Sequence, residues 1–149
     1  MSKWEFDNEV IIKIEDDVVF GTEEGDYGDS YGGYEGYRVT TNKRRIHIGV
    51  STGQQCCERT GYFTSEDEPK TFIGHRLVGI EVVDTALAKT DIEDLEYLDK
   101  GDTMFVNFNT HCDTLQFVVY NAHNGYYGHE AVIEISPINS ETTGFNKYL

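Results

Sequence analysis

Proline is scarce in this chain, with two residues in 149, so long polyproline segments and proline-rich linkers are excluded. Cysteine is nearly as rare. The three present, Cys56, Cys57 and Cys112, are an odd number, which argues against a disulfide framework and fits a reducing compartment. No stretch approaches the roughly 20 consecutive apolar residues of a membrane-spanning helix. The opening Met1-Ser2-Lys3-Trp4-Glu5-Phe6-Asp7 lacks the basic region and apolar run of a secretory signal. Synthesis and residence in a cytoplasm are therefore expected. Positive charge is also short: 12 Lys and Arg against 27 Asp and Glu leave a net charge of −15. Nucleic-acid binders set cations against phosphates, so direct binding to DNA, RNA or an anionic membrane is disfavoured. What remains is a surface charged for solubility, or one matched to a partner that is itself basic.

Aromatic residues are abundant, with 10 Tyr and 8 Phe. These side chains pack well on a pleated surface, and the balance leans towards strands. The length suits a single domain over 1–149, and a chain of this size buries about 68–70% of its unfolded surface without staples. Ile12 and Ile14 alternate with Lys13 and Glu15 as in a half-buried strand, and Asp16-Asp17 offers a turn into Val18-Val19-Phe20. Residues 21–37, GTEEGDYGDSYGGYEGY, interleave glycine, tyrosine and acid. Glycine gives this stretch no steric reason to hold one conformation, which predicts a mobile loop. The alternative is an adhesive arm, since tyrosine supplies contact area at low entropic cost.

Further on, 37–41 and 46–50 predict a hairpin around Asn42-Lys43-Arg44-Arg45, its basic tip solvated. Apolar runs at 77–83, 104–108, 115–120 and 131–135 predict more strands. Thr90 and Glu93 have capping-box spacing, Ile92, Leu95 and Leu98 share one side, and Gly101 is placed as a stop. One short helix is expected there, with Asp91, Glu93, Asp94 and Glu96 outward as a candidate partner-binding face. The tail 139–149 is polar and expected to be loosely held. The fold class expected is mainly β (α+β): an antiparallel sheet forming a sandwich or half-open barrel with one short helix.

Chemistry concentrates in two segments. Cys56-Cys57-Glu58 offers two thiols, and His123-Asn124-Gly125-Tyr126-Tyr127-Gly128-His129 offers two imidazoles. Cys56, Cys57, His123 and His129 together are the donor set of a tetrahedral structural zinc site. The spacing is not that of a zinc finger, and neighbouring cysteines point to opposite faces of a regular strand, so both reach one ion only from a loop or bulge. The competing reading is plain burial, because cysteine is among the most buried residue types. His111-Cys112-Asp113 is a second source of ligands, with Cys112 ranked third among the thiols. His47 and His75 are read as structural.

No catalytic residue is assigned. Cys56 with His123 lacks an identifiable third member and a cationic neighbourhood to lower the thiol pKa, although Arg59 is near. A zinc hydrolase would need an open coordination position and a general base, for which Glu58 and Glu130 are the candidates; no HExxH-like signature supports it. The glycines of 21–37 follow no phosphate-cradling spacing.

Gln55-Cys56-Cys57-Glu58, then Ile73-Gly74 with Leu77, then Asn124-Gly125-Tyr126-Tyr127 follow one another in an order that resembles a family of small phage and prophage proteins of uncharacterised function. The resemblance covers roughly 46–135. Gln at 54 or 55 stands where the family carries an Asp. Within such phage proteins the chain is similar to small acidic anti-CRISPR proteins of streptococcal phages. That similarity implies an inhibitor of a type II CRISPR effector nuclease, acting by stoichiometric binding in the host bacterial cytoplasm. A channel built to hold a nucleic-acid backbone also attracts carboxylates. The alternatives are a zinc-dependent hydrolase and an acidic phage structural or assembly protein.

Overall fold

Apolar and polar residues alternate from Lys3 to Asp7 and again from Ile12 to Glu15, and the backbone carries both stretches in one long strand, β1 (Lys3–Phe20). The structure, a computed structural model, describes residues 3–21, 23–24, 30–31, 33–51, 59–66, 68–85, 103–122, 130–137 and 143–149. The other described strands are β2 (Glu23–Glu24), β3 (Ser30–Tyr31), β4 (Tyr34–Thr41), β5 (Arg44–Ser51), β6 (Arg59–Thr64), β7 (Arg76–Val83), β8 (Thr103–Thr110), β9 (Thr114–Ala122), β10 (Glu130–Pro137) and β11 (Thr143–Tyr148). One turn of 3-10 helix, Pro69–Phe72, separates β6 from β7. The helix expected over 90–101 lies outside the described residues.

Nine strands form one antiparallel sheet in the order β11-β10-β5-β4-β1-β7-β8-β9-β6, and β2 pairs with β3 apart from it. β1 belongs to both wings. Its first half pairs with β7, from Lys3 opposite Glu81 to Val10 opposite Arg76, and its second half pairs with β4, from Ile11 opposite Thr41 to Phe20 opposite Tyr34. The wings face one another across a single core. Tyr37 of β4 meets Phe117 of β9 edge-on at 4.9 Å and Tyr62 of β6 at 5.2 Å. The sheet does not close, and β6 and β11 are its edges among the described strands. The expected antiparallel, half-open architecture is therefore what the chain adopts.

The period-two patterns of β5, β8 and β10 point inward as written, whereas in β1 a register shift between Ile11 and Lys13 leaves Ile14 buried and Ile12 exposed. Ile46, Ile48 and Val50 of β5, Met104, Val106 and Phe108 of β8, and Ala131, Ile133 and Ile135 of β10 are all buried. Phe108 and Phe117 meet edge-on at 4.8 Å in the middle of the core. Each such side chain contributes roughly 1.5–3 kcal/mol by leaving water.

Three expectations are corrected. Asp16-Asp17 does not turn the chain. The strand runs on, and a register shift between Glu15 and Val18 accommodates the pair, with Asp17 at φ 52°. A bulge of this kind bends a strand without ending it, and aspartate tolerates the left-handed region better than most residues. The tail is not loose. β11 pairs with β10 from Glu130 opposite Tyr148 to Ile135 opposite Thr143, Phe145 packs on the core, and Leu149 is buried. Lys147 lies opposite the buried Ala131, so its stem turns inward, and its ammonium donates to the Thr103 carbonyl at 3.1 Å. Finally, the basic tip is not wholly solvated. Arg44 Nη2 lies 2.6 Å from Oε1 of Glu9, which is 1% exposed, and the guanidinium covers the Phe6 ring at 4.7 Å. Thr41 donates its hydroxyl to Glu9 Oε2 at 3.0 Å and accepts from the Arg44 amide.

His47 is structural, as expected. It accepts from Arg38 Nε at 2.9 Å and lies against the Phe20 ring; burial, then Arg38 and Arg45, hold its pKa below the usual imidazole value.

Gly36 and Gly49 sit opposite each other in β4 and β5. A Cβ on Gly36 would stand 2.0 Å from the Ile48 carbonyl oxygen, with backbone and not a flexible side chain in the way. Gly36→Ala is expected to lower the unfolding free energy by roughly 1–3 kcal/mol, the usual penalty of overpacking, read as a reduced urea midpoint at unchanged slope. A midpoint equal to that of the parent would show that the two strands separate freely here.

Candidate functional site

Cys56, Cys57 and Glu58 fall in 52–58, His123 and His129 in 123–129, and Asp91, Glu93, Asp94 and Glu96 in 86–102; all lie outside the described residues. The strand ends that carry the first two segments are described. β5 ends at Ser51 and β10 begins at Glu130, whose amide donates to the Ser51 hydroxyl at 3.0 Å, next to the pairing of Val50 with Ala131. β9 ends at Ala122 and β6 begins at Arg59, and these two residues are cross-strand partners. The cysteine segment thus leaves the sheet beside the point where the histidine segment re-enters it, and re-enters beside the point where the histidine segment leaves. Both cross from one wing to the other between the same pair of strand ends. Two thiols and two imidazoles carried this way are a donor set that fits zinc chemically.

Among the described residues, no group of three or more His, Cys, Asp or Glu is placed to hold a metal ion. Cys112 is exposed in the turn between β8 and β9. Its neighbour His111 accepts the Arg76 amide through Nδ1 at 3.0 Å, so that lone pair is already engaged. His75 meets the His111 ring edge-on at 5.7 Å and packs on Phe72 at 4.9 Å, a structural placement as expected. Glu130, a candidate general base, accepts from Tyr34 at 3.1 Å and from Asn146 at 3.2 Å through Oε1.

The structure draws together a polar group that the sequence barely announces. The bulge in β1 projects Asp16 and Asp17 at the mouth between the wings. Tyr62 reaches across from β6, and its hydroxyl contacts Asp17 Oδ1 and lies 2.9 Å from Glu35 Oε1 of β4. One phenolic proton serves two carboxylates, so it satisfies one at a time and leaves the pair short of a donor. Partial burial, the two hydrogen bonds and the two negative charges push the Tyr62 phenol well above its usual pKa. Tyr37, packed against the Tyr62 ring, is raised too, first by burial and then by Asp16 and Asp17. The five residues come from three strands, β1, β4 and β6. The only local sign was the Asp16-Asp17 break in the alternation of β1.

The shift has a sign. A phenol whose folded-state pKa is raised supports the fold fully below its unfolded value of about 10, and that support is lost as pH rises beyond it. Stability is expected to fall above about pH 10, and Tyr62→Phe to flatten that fall while removing a late-ionising fraction from the ultraviolet tyrosine titration. Identical titration curves for the variant and the parent would contradict the shared hydrogen bond.

No curated protein and no solved structure matches the chain. Residues 8–133, from the first half of β1 to the middle of β10, match the family described as Domain of unknown function (DUF7448). The match takes in the bulge, the tyrosine group and both segments that carry the cysteine and histidine pairs. The chain belongs to this family of domains of unknown function, DUF7448.

Proposed function

We propose that the chain is a phage-encoded inhibitor that binds stoichiometrically to a type II CRISPR effector nuclease in the host bacterial cytoplasm, with zinc as a structural ion. The observation that carries this reading is charge. The excess of acid is 15, and the ion pairs of Glu9 and Glu15 engage few of these carboxylates. Glu5, Asp7, Asp16, Asp17, Glu68 and Asp84 are exposed. Their negative potential faces outward, where it repels nucleic acid and attracts the cationic channel that normally holds a nucleic-acid backbone. The resemblance to phage proteins names the effector. The acidic segment with Asp91, Glu93, Asp94 and Glu96 is the proposed contact face.

Cys56, Cys57, His123 and His129 would hold the zinc. A closed four-ligand site supplies folding free energy and no reactive water. The adjacency of the strand ends that flank the two donor segments, at 51 and 130 and at 59 and 122, supports this reading. The hydrolase alternative has less behind it, because Oε1 of Glu130 is already engaged by two donors.

A titration of the purified chain against a type II effector nuclease, with and without guide RNA, should give a one-to-one complex at micromolar concentration in physiological salt. Changing Asp91, Glu93, Asp94 and Glu96 together to amides should slow association, most strongly at low ionic strength. Absence of a complex in both arms would overturn the inhibitor reading. Elemental analysis should find one zinc per chain, lost together with thermal stability on chelation or in Cys57→Ser and His129→Ala. Metal-free protein with an unchanged melting temperature would remove the zinc.

A further inference from the structure

Beside the Tyr62 group lies a cavity of about 330 Å³ lined by Ile14, Asp16, Tyr37, Glu68, Pro69 and Lys70. It opens where the bulge of β1 meets the 3-10 turn that follows β6. Ile14 and Pro69 give it apolar walls, and the Tyr37 ring is fixed from behind by Tyr62 and Phe117. Tyr37 is only 6% exposed, and among the described residues its hydroxyl has no hydrogen-bond partner. The phenol lines a polar-rimmed cavity and takes no hydrogen bond from a described residue, so it is free to accept one from outside the chain. The rim carries exposed carboxylates on Asp16 and Glu68, and behind it stand Asp17 and Glu35, which share one phenolic proton. Against these, one exposed cation, Lys70, lies on the lining.

We infer that this cavity receives one arginine side chain of a basic protein partner. The inference deepens the inhibitor reading and rests on it for the identity of the partner. The volume is at the lower end of ligand pockets, which run from about 300 to 1,000 Å³, and so suits a single long side chain. Arginine matches the walls as well as the rim. Its methylene stem lies along Ile14 and Pro69, and its planar, weakly hydrated guanidinium stacks on an aromatic ring. Its five donors match what the site lacks: one for the Tyr37 oxygen, and a forked pair for a rim carboxylate. A lysine ammonium offers a point charge with no plane and no fork, and a phosphate or nucleic acid is repelled by the rim.

The test uses the full chain, isotopically labelled, titrated with N-acetyl-arginine-methylamide and with the lysine and citrulline analogues. Amide shifts confined to Asp16, Asp17, Tyr37 and residues 68–70, given by the arginine compound and not by citrulline, are expected. Asp16→Asn should weaken that binding by about tenfold, the usual cost of one charge-assisted hydrogen bond. Asp84→Asn, an exposed acid outside the cavity, should not change it. Tyr37→Phe should weaken it too, and because Tyr37 is buried, the exposed Asp16 variant decides the matter if Tyr37→Phe unfolds. Shifts spread over all acidic surfaces, equal affinity for the lysine analogue, or indifference to Asp16→Asn would each overturn the assignment. The effector titration separates the two claims. If the parent binds the nuclease and Asp16→Asn binds it equally well, the cavity assignment fails and the inhibitor reading stands. If the cavity takes arginine selectively and the parent does not bind the nuclease, the reverse holds.

Discussion

Glu9 is a carboxylate in the interior of a sheet, placed where β1 stops pairing with β7 and starts pairing with β4. Taken out of water alone, it would cost several kcal/mol. Arg44 and Thr41 meet it from the turn that joins β4 to β5, so the changeover in β1 and the start of β5 are tied to one point. Pairs of this sort add little net stability compared with an apolar replacement, but a shifted register would strand a buried charge. The pair therefore acts on specificity of arrangement. It sets which residues of β1 belong to which wing, and with them the direction in which the bulge at Asp16 and Asp17 points. The tyrosine group and the cavity beside it inherit their positions from that choice.

Much of the interior was legible because β5, β8 and β10 alternate cleanly, and burial on one face of a pleated strand is a local property. What was not legible depended on partners distant in sequence. Among its described side chains β11 carries Phe145, the stem of Lys147 and the following Leu149 as inward groups, too weak a pattern in a polar tail to signal a strand before β10 is there to pair with it. β6, at the other edge, shows the same lack of signal. Arg44 looked like part of a solvated tip, since nothing near it in sequence says that Glu9 is buried beside it. The Asp16-Asp17 pair has turn chemistry, and only the continued pairing of Val18 with Gly36 makes it a bulge. The donor types of the candidate metal site were plain from the sequence. That their segments start and end at hydrogen-bonded strand ends is a fact of topology, and no spacing rule contains it.

The two halves of the proposed function draw on different scales of electrostatics. The overall charge acts over about a Debye length, roughly 8 Å in physiological salt, and governs encounter and the rejection of nucleic acid. It cannot by itself choose one basic surface over another. Choice requires a concave place with fixed donors and acceptors, and the mouth between the wings supplies acceptors in excess of donors on a scaffold of three strands. A rigid site on strands holds such groups more firmly than a loop would, so less ordering accompanies binding.

An open sheet exposes edge backbone that other chains can extend, and β11 answers this with Lys147 turned inward. A foreign strand that displaced β11, or β11 sliding by one residue, would leave that ammonium facing apolar side chains or send it outward and empty its place against Thr103. Association between copies is discouraged at short range by this single side chain and at long range by mutual repulsion of acidic surfaces. A chain with so large a net negative charge can thereby stay dispersed until it meets a surface of opposite sign.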